Sequence, residues 1–343
     1  MPHAAPPDFD DPRCLLLGYE ADGDVYRFAW VDLDEIGAAP FLDQRMAEAW
    51  QRSFLIAGAN LPQIAMSRGA WLFHTAFCGS TLLARALHAP PRNVSLKEPS
   101  ALYDLAHAST RYTLDTSAGP GSPLHRSIAL LMRPWIPEGT VLVKPTNAVN
   151  RLMDDLLAAT PESRAILLHG SLEDFLLSCL KKLPAAETPM RWMMQHLLPG
   201  TQLERRLGIP AEHRFNFVEC CVLTWHAQIE RYAQALLADR DDRLRTLDMG
   251  TMLADPHAAI AACDAWLRLQ GAPDPRGRQE RVDAVFSRDA KQADKAYGPD
   301  LRESERSDLR QRYDRILKAA LGWAATQVAP HARLPTDWKP LLS

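Results

Sequence analysis

The sequence lacks the cysteine spacing of a metal site or a redox pair. Its six cysteines (Cys14, Cys78, Cys179, Cys220, Cys221 and Cys263) contain no CxxC, the pattern that sets two thiolates on one ion. They are expected to be buried small apolar side chains. Eleven histidines never form HExxH, which excludes the helix-borne ligand pair of a zinc protease. No apolar run approaches the ~18 residues of a membrane span. The opening MPHAAPPDFDDP has no basic stretch followed by an apolar one, so a soluble, cytoplasmic protein is predicted. Charge of one sign is also scarce. A formal net charge of −3 offers nucleic acid no bulk attraction.

What is present is core-forming material. With 343 residues, 47% of them hydrophobic and 24% charged, the chain can bury a full interior as one large domain or two modest ones. This composition excludes a disordered or fibrous protein.

After the proline-rich start, CLLLGYEADGDVYRFAWVDL predicts a hairpin over residues 13–33, turning at Ala21-Asp22-Gly23-Asp24, because Gly and Asp tolerate left-handed turn geometry. FLDQRMAEAWQRSFLIAG then reads as helix-like. From residue 70 short apolar runs alternate with helical patterns, the signature of a parallel sheet with crossover helices. Strands are expected at Ala70 to Thr75, Val94 to Lys97, Val141 to Lys144, Arg164 to His169 and Leu244 to Asp248. Phe217, Cys221, Trp225, Tyr232 and Leu236 recur on one helical face and predict a core stripe. YTLDTSAGPGSPLHR, residues 112–126, reads as a mobile loop, and residues 274–300 as a polar, charged segment. The expected division is an N-terminal hairpin-and-helix addition over 1–60 and an α/β domain over 61–335.

One stretch raises a chemical question. WLFHTAFCGSTLLARALHAP runs from a strand through a tight loop into a helix. Laid over the phosphate-loop pattern GxxxxGK[ST], Gly79 and Thr81 fall in place, His74 replaces the first glycine and Ser80 replaces the lysine. Backbone amides near Gly79 and the hydroxyls of Ser80 and Thr81 suit an anion. The lysine that offsets a nucleoside triphosphate is missing, which disfavours an ordinary kinase or ATPase. A plain N-capped helix, with Ser80 or Thr81 as cap, reads equally well from this stretch alone.

Two further strand ends carry charge. VSLKEPSAL ends on Lys97-Glu98 and TVLVKPTNAV on Lys144, each followed by proline, which stops the strand. Ligands of open parallel sheets bind beyond the carboxyl ends of the strands, so Glu98 and Lys144 are expected to face the Gly79 loop. A carboxylate and a lysine there suit transfer of an anionic group to a hydroxyl, with Glu98 taking the proton and Lys144 steadying the developing charge.

These segments together resemble the sulfotransferases that use 3′-phosphoadenosine 5′-phosphosulfate, as a divergent, bacterial-like member. FHTAFCGSTLLARAL is similar to their 5′-phosphosulfate loop, LKEP to the Lys-Glu whose glutamate is the general base, and VKPTNAV to the segment at the acceptor. RAILLHGSLEDFLLSCLKK is similar to the strand, loop and helix that hold the 3′-phosphate, with Ser178 at the family's serine. LRTLDMGTMLADPHAAIAACDAWLRL is similar to a later strand, turn and helix, and the resemblance spans residues 70–300.

The resemblance implies a three-layer, P-loop NTPase-like parallel sheet flanked by helices. It also implies 3′-phosphoadenosine 5′-phosphosulfate as donor, no metal, and a small-molecule, lipid or carbohydrate acceptor. Glu98 and Lys144 would be catalytic. Phe77, Cys78, Gly79, Ser80, Thr81, His169, Ser178, Arg288 and Lys291 would lie at the donor, and Lys97, His74 and Tyr103 at the acceptor. The sequence departs from the family at Phe77, where the loop lysine is expected, and at His169-Gly170, where an arginine is expected before Glu173-Asp174. Lys144 is expected to replace the loop lysine and Lys181 or Lys182 to help at the 3′-phosphate, with Lys295 joining Arg288 and Lys291 in closing over the donor.

Two other readings stay open. One is a nucleotide-dependent kinase with Asp248 at a magnesium ion; the other is a binding protein that has kept the fold and lost the donor. A cysteine enzyme using Cys78 has no visible activating base. Residues 100–135 and 184–215, with Tyr103, Tyr112, Trp135, Trp192, Met193 and Met194, are expected to supply the acceptor pocket.

Overall fold

The computed structural model describes residues 7–111, 119–208, 214–269, 275–289, 296 and 298–342. Three strands, β1 (Cys14–Glu20), β2 (Val25–Trp30) and β3 (Phe54–Ala57), form an antiparallel sheet, with helices α1 (Leu33–Ala38) and α2 (Ala47–Gln51) between β2 and β3. The main sheet holds β4 (Ala70–His74), β5 (Asn93–Lys97), β6 (Thr140–Lys144), β7 (Arg164–His169) and β8 (Leu244–Asp248) in the order β5-β6-β4-β7-β8. Its β4–β6, β5–β6 and β7–β8 ladders are parallel. The helices flanking it are α3 (Ser80–Ala86), α4 (Ser100–Arg111), α5 (Pro123–Leu131), α6 (Met153–Ala159), α7 (Leu172–Lys181), α8 (Glu187–Leu197), α9 (Gln202–Leu207), α10 (Phe217–Ala238), α11 (Met249–Ala254), α12 (Pro256–Leu267), α13 (Pro275–Phe286) and α14 (Pro299–Trp323).

The expected class, an α/β parallel sheet preceded by an antiparallel β addition, is the one observed. The main strands formed where expected, and three of them, β4, β6 and β7, carry apolar runs at their centres. Every residue of β4, β5 and β6 is buried, as parallel strands covered by helices require. The chain divides into two compact units, Met1–Leu72 with Leu83–Arg164 and Asp264–Arg278, and Phe73–Leu82 with Ala165–Cys263 and Gln279–Ser343.

In the first unit, α4 packs on β1, and Trp71, fully buried on β4, donates its indole N–H to Thr160 Oγ1 at 2.9 Å. Burial of each such large apolar side chain stabilises by about 1.5–3 kcal/mol. The hairpin turn ends at Asp24, left-handed at φ 48°. Arg133, 5% exposed, donates to four carbonyls: Leu130 at 2.8 Å, Phe9 at 2.6 Å, Asp11 at 2.9 Å and Cys14 at 2.6 Å. It thereby fastens the segment entering β1. Asp104 on α4 accepts the Tyr19 N–H at 3.0 Å, and burial pushes its carboxyl up to about 6.

Two expectations are corrected here. The stretch from Phe41 to Gly58, read as helical, holds only the five-residue α2 and then β3. Phe54–Ala57 alternates half-buried and exposed and pairs with β2 from Val25↔Ala57 to Phe28↔Phe54, so period-two burial wins over local helical propensity. The loop expected over 112–126 gives way to α5 from Pro123. Ser122 Oγ accepts the His125 N–H at 3.1 Å and Pro123 opens the helix, the position where a missing N–H costs nothing. Residues 112–118 lie outside the described residues.

In the second unit, α10 begins at a capping box between Asn216 and Glu219. It packs against α7 and α8. Helix α7 is capped by Ser171, whose hydroxyl accepts the Asp174 N–H at 3.1 Å. Its first-turn acids are tied to α14 by Arg306–Asp174 at 2.8 Å and Arg310–Glu173. All six cysteines are buried, as expected of most of them, and form no disulfide among the described residues. Among the described residues no helix is long and apolar enough to cross a membrane.

Candidate functional site

In the first unit β5 and β6 end in register, Lys97 opposite Lys144. Beyond the strand, Glu98 adopts φ 55°, a left-handed conformation that costs a non-glycine residue about 1–2 kcal/mol. Its N–H still reaches Lys144 O at 2.6 Å. The carboxylate Oε1 lies 2.5 Å from Lys144 Nζ. The Lys144 side chain is fully buried and that of Glu98 is 19% exposed. Lys144 Nζ also sits 5.3 Å from the Phe41 ring. Glu98 is therefore the accessible half of an otherwise buried ion pair. A proton taken up by Glu98 would neutralise the partner of Lys144 and leave its ammonium to act on other negative charge.

Lys97, expected at the acceptor, points elsewhere. It is 1% exposed, and its ammonium donates to Ile36 O at 2.9 Å and Gly37 O at 3.2 Å at the end of α1. Desolvation, with Arg85 and Lys144 adding to it, pushes its pKa down to about 8. Its contacts make it an anchor between strand and helix. Tyr103 is half-buried on α4, its ring 6.0 Å from that of His107.

In the second unit β4 leads into the Gly79 loop. Thr75 N–H donates to Leu168 O at 3.2 Å, and Thr75 O accepts the Gln228 amide at 3.2 Å. His74 Nδ1 accepts the Ala76 N–H at 3.1 Å, so His74 shapes the loop. Ala76, Phe77 and Gly79 have φ of 65°, 52° and 75°. A tight turn of this kind, leading into the start of α3, is a backbone setting in which N–H groups can meet an anion. Gly79 is favoured by its φ of 75°; a Cβ there would also meet Met252 Cε at 2.7 Å, the movable end of a flexible side chain. Ser80 and Thr81 are each 6% exposed at the start of α3. Cys78 is fully buried, its Sγ 3.8 Å from Leu168 O. Phe77 packs on Phe175, with centroids 5.7 Å apart, and carries Lys182 Nζ 3.8 Å above its ring.

His169 and Asp248 end β7 and β8 as register partners. Their side chains approach to 3.8 Å, and the His169 ring lies 4.6 Å from that of Trp338. Burial holds the His169 imidazole below its usual range, favouring the neutral ring. Asp248 Oδ1 accepts the Thr251 N–H at 3.0 Å and caps α11. Ser178 is half-buried on α7. Lys181 is paired with Glu305 at 2.6 Å. Arg288 is exposed in a bridge with Ala296, while Lys291 and Lys295 lie outside the described residues, as does Tyr112. Among the described residues no three His, Cys, Asp or Glu side chains gather as metal ligands.

Sequence reasoning placed Trp225 and Tyr232 of α10 in the core stripe but missed that they, with Gln228, brace the loop and the end of β7 by hydrogen bonds. Besides Gln228, Trp225 donates to Gly170 O at 3.1 Å and Tyr232 to Leu168 O at 3.3 Å. The available signal was polar capacity inside an apolar stripe: fully buried Gln228 and Tyr232 and half-buried Trp225 each carry a polar group that needs a partner.

No family model matches the sequence and no curated protein matches it. Among solved structures, the chain is similar to a sulfotransferase domain from the curacin biosynthetic pathway, at 14% identity over 79% of this chain and 100% of that one, with a TM-score of 0.46. It is also similar to a sulfotransferase from Mycobacterium avium, at 14% identity over 76% and 78% with a TM-score of 0.41, and to one from Alicyclobacillus acidocaldarius, at 15% over 74% and 96% with 0.37. At such scores the functional assignment rests on the chain's own residues.

Proposed function

We propose that this protein is a sulfotransferase that moves a sulfuryl group from 3′-phosphoadenosine 5′-phosphosulfate to a hydroxyl or amine. The observation that carries the reading is the loop from Thr75 to Thr81, which turns through left-handed Ala76, Phe77 and Gly79 into the start of α3 without the lysine of a triphosphate loop. In this reading Gly79, Ser80 and Thr81, with the backbone of Phe77 and Cys78, hold the 5′-phosphosulfate. Ser178 and His169 serve the 3′-phosphate side, and Arg288 and Lys291 the outer face of the donor. Glu98 takes the acceptor's proton as its oxygen or nitrogen attacks sulfur, while the bond from sulfur to the 5′-phosphate oxygen breaks. The Glu98–Lys144 pair at 2.5 Å supports this role: once Glu98 is protonated, Lys144 stabilises the charge on the group in transit. The acceptor is a small molecule, lipid or carbohydrate, with His74 and Tyr103 on its side of the chemistry.

Calorimetric titration with 3′-phosphoadenosine 5′-phosphate in EDTA tests the reading. Saturable binding is expected. Absence of binding at millimolar nucleotide would instead favour a protein that has lost the donor. ATP-dependent turnover stopped by EDTA would replace sulfuryl with phosphoryl transfer.

A further inference from the structure

The segment between α1 and α2 grips the end of β5. The Lys97 ammonium donates to Ile36 O at 2.9 Å and Gly37 O at 3.2 Å. Further along, Leu42 N–H donates to Lys97 O at 2.7 Å, and Leu42 O accepts the Ser100 N–H at 3.1 Å. These backbone bonds straddle Glu98, whose own N–H is held by Lys144 O at 2.6 Å. The left-handed turn at Glu98 is thus fixed by β6 and by Leu42 together. Phe41, next to that clamp, is 3% exposed, and its ring centre lies 5.3 Å from Lys144 Nζ.

We propose that Phe41 is a positioning residue for sulfuryl transfer, its ring holding the Lys144 ammonium in place while Glu98 carries the acceptor's proton. The inference rests on the sulfuryl-transfer reading above. It brings into the working site a residue of the segment expected to form the N-terminal addition.

Before proton transfer, the Glu98 carboxylate 2.5 Å away neutralises the buried ammonium, and the ring adds little. Once Glu98 is protonated, a fully buried ammonium stands beside a neutral partner, which is costly. An aromatic face within about 6 Å attracts a cation through its quadrupole and neither takes its proton nor cancels its charge. The contact therefore matters more as the proton moves, and an interaction stronger in the transition state than in the ground state lowers the barrier. Phe41 should act on kcat and leave KM alone. Arg45, whose guanidinium lies 3.9 Å from the same ring centre, is joined to Asp43 at 2.7 Å. That second contact fastens the ring whatever the state of Glu98.

The assay uses the full chain and transfer of labelled sulfuryl from 3′-phosphoadenosine 5′-phosphosulfate to phenolic, aliphatic and sugar alcohols. Phe41→Leu, which keeps apolar bulk, should lower kcat roughly 10- to 30-fold, the worth of one desolvated cation–π contact. Acceptor KM and the affinity for 3′-phosphoadenosine 5′-phosphate should stay within about twofold of the parent. Phe41→Tyr keeps the face and should recover kcat to within about threefold of the parent. Phenylalanine bearing increasing numbers of ring fluorines, placed at residue 41, drains the face of negative charge with little change of shape, so kcat should fall stepwise. A packing role would show no such steps. A kcat within about twofold of the parent in Phe41→Leu overturns the proposal, as does a Phe41→Tyr variant no faster than Phe41→Leu or a fluorine series without trend. The ε-methylene proton signals of Lys144 read the ring contact without turnover and should move in Phe41→Leu. Signals that stay in place overturn the inference and leave the sulfuryl-transfer reading standing. A parent that binds no 3′-phosphoadenosine 5′-phosphate and transfers sulfuryl to no alcohol removes that reading, and this inference with it.

Discussion

Glu98→Gln separates the chemistry of the Glu98–Lys144 pair from its structural part. Lys144 is fully buried and the Glu98 carboxylate lies 2.5 Å from its ammonium. Removing one partner of a buried pair costs about 3–5 kcal/mol. Glutamine keeps a carbonyl acceptor for the ammonium, so the expected loss is the smaller, charge-dependent part, about 2–3 kcal/mol. Urea unfolding measures it. Adding Lys144→Met removes the orphaned cation, and the double variant should regain most of that stability.

Turnover should behave differently. Loss of a general base lowers it by roughly 10²- to 10⁴-fold, about 3–5 kcal/mol of barrier, and the double variant should stay inactive. The assay is transfer of labelled sulfuryl to a panel of phenolic, aliphatic and sugar alcohols, with 3′-phosphoadenosine 5′-phosphate affinity measured in parallel. Turnover of Glu98→Gln within tenfold of the parent refutes Glu98 as base. Equal loss of turnover and nucleotide affinity refutes it as well.

Gly79→Ala puts a Cβ on a backbone at φ 75° and against Met252; it should destabilise by about 1–2 kcal/mol and weaken nucleotide binding by calorimetry. Arg133→Met removes the donor shared by four carbonyls. Limited proteolysis should then cut near residues 9–14 far faster than in the parent. Asp104 has its carboxyl raised to about 6 in the folded protein, against about 3.9 unfolded. The folded state thus holds the extra proton, and the stability Asp104 contributes is present below pH 4 and lost as pH rises through 6. Asp104→Asn, whose amide oxygen still accepts from Tyr19, should flatten that slope in urea unfolding between pH 4 and 7. It should also be more stable than the parent at pH 7 by up to about 2–3 kcal/mol.

The main sheet was legible where strands β4, β6 and β7 write apolar runs between helical patterns, while β5 and β8 mix apolar and polar residues. Strands β7 and β8 fall on the residues expected for them. Strand β3 was not legible, since four residues alternating against solvent carry too little pattern beside a helix-like neighbour. Helix α5 had its signals, Ser122 as cap and Pro123 at the first turn, hidden by the glycines and serines before them. Of the candidate residues, the loop around Gly79 and the charges of Glu98 and Lys144 could be read from spacing. The inward course of Lys97 to the carbonyls of Ile36 and Gly37 and the meeting of Lys182 with Phe77 could not. Both depend on contacts between residues 60 or more positions apart, which only the fold supplies.

Ala76 and Phe77 hold left-handed backbones side by side. His74 and Gln228 grip the chain at the loop's entry. With the chain held at that entry, little backbone freedom is left for binding to remove. Association at this loop should be a single fast step whose rate tracks diffusion and ionic strength, with no slow phase of loop rearrangement in stopped-flow records.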